Sequence, residues 1–242
     1  DIIENKKLTA TAIIGLFEAN ADGDDIEIYN DKGEVIGTLY TLRQQADKDN
    51  STFMAMSDFI APKSAGYKDY VGMFAVSAGF GCKDMVKVYE NDNDDYKSIM
   101  AKALADRLAE AFAELLHERV RREYWGYATE EKLKTDDLLK IKYHGIRPAP
   151  GYPSQPDHTE KNTIWKLLQV TEKTGITLTD SLAMDPAASV CGLYFANPKS
   201  EYFGVDSIGK DQIESYASRK GMEVKEVEKW LQTILNYDYE IQ

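Results

Sequence analysis

Residues 12–40 read AIIGLFEANADGDDIEIYNDKGEVIGTLY, three apolar runs separated by two turns rich in Asp and Gly. The runs are residues 12–17, 26–29 and 35–40, and the turns fall at residues 22–25 and 31–33. Apolar runs bounded by such turns are typical of β-strands that follow one another in a meander. The connections are too short for crossover helices, so the pattern predicts antiparallel pairing.

Further strands and several helices are predicted downstream. A fourth buried strand is expected at residues 70–76, with two shorter ones at 190–196 and 202–206. A long helix is predicted from about Asp94 to Tyr124, because apolar residues recur there at intervals of three and four. The stripe expected to face the core comprises Met100, Leu104, Leu108, Ala111, Phe112, Leu115 and Val120.

Shorter helices complete the predicted fold. One helix is expected to begin near residue 135, and a second to begin after Asp157 or Thr159. A third is expected to end at Arg219-Lys220-Gly221, and a fourth to span residues 223–235. No repeat or linker divides the chain. We therefore predict a single mixed α+β domain over residues 1–242, with a central antiparallel, meander-like sheet flanked by helices.

Composition excludes several classes of function. The chain has 242 residues and a formal net charge of -12, which argues against a general nucleic-acid binder because such binders need clustered Lys and Arg. The sequence contains no stretch of 18 apolar residues, so no membrane-spanning helix is predicted. The two cysteines, Cys82 and Cys191, suggest a reducing cytoplasm. The chain begins at Asp1 without an initiator Met, and we expect it to be a piece of a longer protein.

Familiar catalytic and metal-binding motifs are missing from the sequence. There is no phosphate-binding glycine loop, no Gly-x-Ser-x-Gly and no His-Glu-x-x-His. The histidines His117, His144 and His158 are scattered, and no metal-ligand spacing is present. No nucleophile–base pair is predicted, so we expect no catalytic residue and no metal site.

A proline-rich segment is the strongest binding candidate. Four prolines occur within the nine residues 148–156, so neither a helix nor a central strand is expected there. Such a backbone presents its polar groups in fixed directions, Arg147 offers a planar fork for a carboxylate or phosphate, and Gly151 permits close approach of a ligand. On composition alone, a surface loop whose arginine pairs with a neighbouring Asp is the simpler interpretation.

Two other groups of residues have both a structural and a functional interpretation. Tyr202 and Phe203 could stack on a heterocycle or a cation, although half-buried strand aromatics are commoner. Asp106 and Glu110 belong to an acidic row on the long helix, which a solvated helix face would also explain.

The segment GIRPAPGYPSQPDHTEK at residues 145–161 closely resembles the signature of the activation domain of cobalamin-dependent methionine synthase. The resemblance extends along nearly the whole chain. It includes residues 23–29, 42–45, 58–63, 102–114, 117–121, 124–127, 193–195, 202–203 and 226–231.

This resemblance implies a specific function and fold. The parent enzyme, a methyltransferase of methionine biosynthesis, transfers a methyl group from methyltetrahydrofolate to homocysteine through cobalamin. Its activation domain binds S-adenosylmethionine and presents the methyl group for reductive methylation of oxidised cob(II)alamin, held by a neighbouring domain, while a flavodoxin-type protein supplies an electron. The family fold is a C-shaped α/β module with a central antiparallel sheet. The isolated chain would not be catalytically complete.

The resemblance also implies roles for particular residues. Arg147 would grip the methionine carboxylate, and Ala149 and Tyr152 would provide backbone contacts. Tyr202 and Phe203 would line the same cleft. Asp106 and Glu110 match acidic positions that we place on the cobalamin-facing side. The family supplies a further acidic ligand contact upstream of the meander, so a chain that starts at Asp1 is expected to be N-terminally truncated and to have an incomplete cleft.

Two alternatives remain at this point. A stand-alone S-adenosylmethionine-dependent methyltransferase would need a glycine-rich loop after its first strand, which is missing. A docking module could recruit a reductase without binding a small molecule. Because flavodoxins are acidic, docking onto a chain of net charge -12 would require a basic patch, for which we predict Lys132, Lys134 and the cluster Arg119, Arg121 and Arg122.

Overall fold

The computed structural model of the chain describes residues 2–46 and 52–239. Its strands are β1 (Thr9–Asp22), β2 (Asp25–Tyr29), β3 (Val35–Tyr40), β4 (Asp69–Phe80), β5 (Thr177–Leu178), β6 (Met184–Asp185) and β7 (Ser189–Tyr194). Its α-helices are α1 (Cys82–Asn91), α2 (Asp95–Arg119), α3 (Thr135–Leu139), α4 (Lys161–Leu168), α5 (Val170–Thr174), α6 (Lys210–Lys220) and α7 (Val224–Leu231). Short 3₁₀ turns occur at Met56–Phe59, Lys63–Ala65, His158–Glu160 and Gln232–Ile234, and a π-helical turn occurs at Val120–Tyr124.

A five-stranded sheet is the centre of the fold. Its strand order is β3-β2-β1-β4-β7, and a separate two-stranded sheet pairs β5 with β6. The first three strands form the predicted meander, in which Ala19 lies opposite Ile28 and Ile26 lies opposite Leu39 in antiparallel register. The predicted α+β class, with an antiparallel sheet flanked by helices, is therefore confirmed.

The chain forms two compact units. The first unit comprises Asp1–Gly15, Met73–Lys142 and Ile164–Gly192, and the second comprises Leu16–Gly72, Tyr143–Thr163 and Leu193–Gln242. The first unit contains the helix pair α1 and α2, and the second contains the meander, the proline-rich segment and the helices α6 and α7.

In the first unit, α2 begins as predicted but buries a different face. Asp94 caps the helix, because its side chain accepts a hydrogen bond from the backbone N–H of Lys97. The predicted apolar stripe is largely outside: Met100, Leu104, Leu108 and Leu115 are 40–48% exposed. The buried residues are Ser98, Ala101, Ala105, Ala109, Ala113, Leu116 and His117.

Small side chains explain this difference. Ala105 and Ala109 pack with Ala78 of β4 and with Ala188, in a cluster that contains no large buried side chain. Alanines allow the helix and strand backbones to approach closely. The close approach leaves no gap that larger side chains would have to fill, and it provides dispersion contacts between the two elements. The long-helix prediction holds as far as Arg119, after which the π-helical turn begins.

In the second unit, α6 and α7 enclose a core of their own. The buried residues of this core are Leu42, Val205, Ile208, Ile213, Tyr216, Ala217, Val227 and Leu231. Helix α6 ends at Lys220, and Gly221 follows with a φ of +67°, as the Arg-Lys-Gly stop signal predicts. The predicted strand at residues 202–206 is wrong, because that segment is irregular. Within the described residues, no helix has the length and apolarity needed to cross a membrane.

Candidate ligand-binding site

The proline-rich segment is held in the second unit by backbone hydrogen bonds along its length. Ile146 and Phe195 exchange two N–H to carbonyl bonds of 3.0 Å. Further along, the carbonyl of Pro148 accepts from the Leu193 N–H at 2.9 Å, and that of Pro153 accepts from the Val205 N–H at 2.9 Å. Prolines have no N–H to donate, so the segment is anchored chiefly through its carbonyls.

A tight turn forms the middle of this segment. The Tyr152 N–H donates to the Ala149 carbonyl at 3.1 Å, and the Gly151 N–H donates to the Gln155 carbonyl at 2.7 Å. Gly151 has a φ of +97°, and a Cβ built there would lie 2.1 Å from the His158 ring. Both the backbone conformation and the space therefore require glycine. The turn leaves the Tyr152 side chain 61% exposed.

Four of the five predicted ligand contacts lie on or against this segment. Arg147, Ala149 and Tyr152 belong to it, and the Tyr202 hydroxyl accepts a hydrogen bond from the Arg147 backbone N–H at 3.0 Å. Phe203 is placed differently. Its ring lies edge-on to Phe59, with 6.2 Å between centroids, and packs against the core around α6 and α7.

His158 packs directly behind the turn. Its Nδ1 lies 3.0 Å from the Nζ of the buried Lys161. Burial lowers the pKa of His158, and the neighbouring Lys161 ammonium lowers it further. A neutral imidazole that accepts from Lys161 is therefore the expected form at pH 7.

A buried charge cluster follows the segment, and sequence reasoning did not find it. The Nζ of Lys220 donates to Asp157 Oδ2 at 2.6 Å, to Glu160 Oε1 at 2.5 Å and to Thr159 Oγ1 at 2.5 Å. Asp157 also accepts from the Tyr216 hydroxyl at 2.8 Å. The sequence showed Asp157 and Glu160 only as helix-start residues, and nothing local connects them with Lys220.

Asp106 and Glu110 lie in the first unit, and both are exposed on α2. Asp106 borders a cavity of about 340 Å³ whose lining includes Cys82, Lys102 and Pro186. Burial raises the pKa of the Cys82 thiol, and the Asp106 carboxylate raises it further. The thiol is therefore a weak nucleophile at neutral pH. In the described part of the chain, no group of three His, Cys, Asp or Glu side chains is arranged to hold a metal ion.

The predicted basic patch needs one correction. Arg121 is completely buried and forms a bidentate ion pair with Glu131, with N–O distances of 2.7 and 3.0 Å, so it cannot face a partner. Arg122 is partly exposed but pairs with Glu118 at 2.8 Å. The exposed members of the patch are Arg119, Arg122, Lys132 and Lys134, and Arg122 is the one paired with Glu118.

These features define a mixed α+β fold whose second unit contains a candidate site framed by backbone hydrogen bonds. The sequence matches the family "Vitamin B12 dependent methionine synthase, activation domain" over residues 1–221, and the chain belongs to that family. It is also similar to the crystal structure of the MetH reactivation domain bound to AdoHcy. The TM-score is 0.96 and the sequence identity 53%, and the match covers 98% of this chain and 74% of the other. The resemblance inferred from the sequence is thereby confirmed.

Proposed function

We propose that this chain binds S-adenosylmethionine and presents its methyl group for the reductive methylation of cob(II)alamin in a methionine synthase. The observation that carries the proposal is the 53% identity, over 98% of the chain, to a reactivation domain that binds AdoHcy. Residues 1–242 then act as one activation domain, and an electron comes from a flavodoxin-type protein. The chain has only two cysteines, Cys82 and Cys191, which fits a reducing cytoplasm.

The geometry of the proline-rich segment supports a division of roles among the site residues. The Arg147 guanidinium binds the carboxylate of the amino-acid moiety, because a planar fork matches a carboxylate in two hydrogen bonds. Ala149 and Tyr152 contribute backbone contacts from the turn. Tyr202, 43% exposed and bonded to the Arg147 backbone, lines the cleft with its ring. Phe203 supports the cleft from its core side.

The role proposed for this chain in the reaction is to position the methyl group of S-adenosylmethionine relative to cobalamin. Cobalamin, bound by a neighbouring domain, supplies the metal that accepts the methyl group, and Asp106 and Glu110 are proposed to face that domain. A rigid frame holds the ligand in one orientation and so lowers the entropic cost of the transfer. Turnover to methionine, the reaction of a 5-methyltetrahydrofolate–homocysteine methyltransferase, needs the folate, homocysteine and cobalamin modules, so the chain alone is not expected to catalyse it.

Ligand binding can be tested by calorimetry. We expect the wild-type chain to bind both S-adenosylmethionine and S-adenosylhomocysteine, and Arg147→Ala to weaken binding about tenfold or more, because a charge-assisted contact is lost. Adenosine is the matched control ligand, because it has no carboxylate and should bind the two proteins equally. Equal affinity of both proteins for S-adenosylhomocysteine would contradict the role of Arg147. If no ligand binds the wild type, the reductase-docking alternative replaces the proposal.

Docking of an acidic flavin reductase is proposed to use the exposed basic patch. Lys132→Glu combined with Lys134→Glu should slow association with a flavodoxin roughly tenfold at low salt, because opposite charges steer the encounter. The control is Lys32→Glu with Lys199→Glu, an equal charge change at exposed lysines of the second unit. Stopped-flow kinetics at two ionic strengths measures the effect. Equal rates for the two double variants would place the docking surface elsewhere.

A further inference from the structure

The buried charge cluster of Lys220, Asp157 and Glu160 adjoins the candidate site. The Lys220 side chain is 9% exposed, and those of Asp157 and Glu160 are 3% and 1% exposed. Burial by itself would raise the pKa of Asp157, but the Lys220 ammonium holds it below its ordinary value. Burial would lower the pKa of Lys220, but Glu160 and Asp157 keep it above its ordinary value. An ionised pair is therefore present beneath the segment at neutral pH.

Both carboxylates belong to the chain that leaves the proline-rich segment. Asp157 directly follows Pro156. Gln155, two residues before Asp157, connects the cluster to the turn, because its carbonyl accepts from the Gly151 N–H at 2.7 Å. Gln155 Nε2 donates to the Tyr40 carbonyl at 2.8 Å, while Glu160 Oε2 accepts from the Tyr40 N–H at 3.0 Å. The end of the segment is thus held to β3 from two sides and to α6 through Lys220.

We propose that Lys220 is a positioning residue for ligand binding: its buried ammonium holds Asp157 and Glu160 and thereby fixes the Gly151–Tyr152 turn in the geometry that accepts the ligand. This inference rests on the proposed function, and it adds a residue of α6 that does not itself touch the ligand. A buried ion cluster is seldom the most stable solution, because apolar side chains of similar volume often serve equally well. The cluster instead holds the backbone that follows the turn, at residues 155–160, in one defined orientation.

The cluster also predicts a pH dependence for ligand binding. Burial raises the pKa of Glu160 to about 7, although the attraction of Lys220 opposes the rise. Both Glu160 oxygens accept hydrogen bonds, from Lys220 and from the Tyr40 N–H, so protonation of the carboxylate weakens these contacts. The other charged or titratable groups that act on Glu160 are Asp157 on the same turn and Tyr216 on α6.

The direction of the pH effect follows from these contacts. Ionised Glu160 makes both hydrogen bonds, so affinity should fall as pH falls through about 7. Removal of the Lys220 ammonium takes away an attraction that lowers the pKa of Glu160. The midpoint of the pH profile should therefore move to higher pH when Lys220 is replaced.

The test is a series of titrations with S-adenosylhomocysteine from pH 6 to pH 8.5. Wild type is compared with Lys220→Met, Lys220→Arg, Glu160→Gln and the control Lys210→Met, an exposed lysine on the same helix. We expect Lys220→Met to bind roughly tenfold more weakly with its midpoint shifted upward, and Lys220→Arg to recover part of the loss. In Glu160→Gln, only the ionisation of the ligand and of His158 should remain in the pH profile of affinity. The difference between this profile and that of wild type is therefore the contribution of Glu160.

The outcomes decide whether Lys220 positions the turn for ligand binding. The inference is overturned if folded Lys220→Met matches wild type in affinity and midpoint, or if Glu160→Gln keeps the wild-type profile. Folding is checked by near-ultraviolet circular dichroism, and if Lys220→Met does not fold, the Glu160→Gln profile decides alone. If the wild type itself does not bind, the proposed function fails before any variant is compared.

Discussion

Replacement of Gly151 by alanine is expected to weaken ligand binding on the order of a hundredfold while leaving the protein folded. The residue has a φ of +97°, and the new Cβ would lie 2.1 Å from the His158 ring. Either the turn or the imidazole must move, and a shift of about 1 Å in a binding frame is expected to cost on the order of a hundredfold in affinity. Backbone strain should lower the free energy of unfolding by about 1–3 kcal/mol. Calorimetry and thermal denaturation measure the two effects.

Gly33→Ala is a matched control for this substitution. Gly33 lies in the same unit with a φ of +78°, but nothing lies within 4 Å of its added Cβ. It should therefore show the strain without the change in affinity. Combining Gly151→Ala with His158→Ala removes the obstructing ring and should restore part of the binding. Wild-type affinity in Gly151→Ala alone would show that this turn does not contact the ligand.

Replacement of Arg121 by methionine is expected to give the largest loss of stability. The Arg121 guanidinium is completely buried and bonds Glu131, which is itself 8% exposed. Removal of the cation leaves a buried carboxylate without its ion-pair partner, which costs about 3–5 kcal/mol of unfolding free energy. Urea denaturation followed by tryptophan fluorescence suits this site because Trp125 lies directly after the turn, where its backbone N–H donates to the Val120 carbonyl at 2.9 Å.

The neighbouring Arg122 offers a control in the same turn. It pairs with Glu118 at the surface, so Arg122→Met should change the unfolding free energy by about 0.5 kcal/mol or less. The double variant of Arg121→Met and Glu131→Leu removes both buried charges and should recover most of the stability. Equal, small losses in Arg121→Met and Arg122→Met would contradict the assignment of a buried ion pair.

The parts of the fold that local patterns determine were predictable from the sequence. The meander follows from apolar runs and Asp/Gly turns within 29 residues, and the stop of α6 follows from Gly221. The irregular path of the proline-rich segment follows from its missing N–H groups. The proline-rich segment could be singled out because its residues are contiguous in the chain, and the resemblance to the family then implied its role as a ligand site.

Features that depend on tertiary packing were not predictable. Periodicity shows which α2 residues share a face but does not decide that alanines rather than leucines are buried. Residues 202, 203 and 205 have aromatic or apolar side chains, yet the segment forms isolated backbone bonds, such as that of the Val205 N–H to the Pro153 carbonyl, rather than a strand ladder. Lys220 is 63 residues from Asp157, so only the folded chain brings this cation to the segment.

The four prolines also decide what kinds of chemical group the segment can recognise. They have no amide proton, and the amides of Gly151, Tyr152 and Gln155 already donate within the turn. The remaining backbone is therefore richer in acceptors than in donors, and it favours amino and other cationic groups over anions. An anionic end of a ligand must be bound by a side chain. Under the proposed function, the guanidinium of Arg147 meets that requirement.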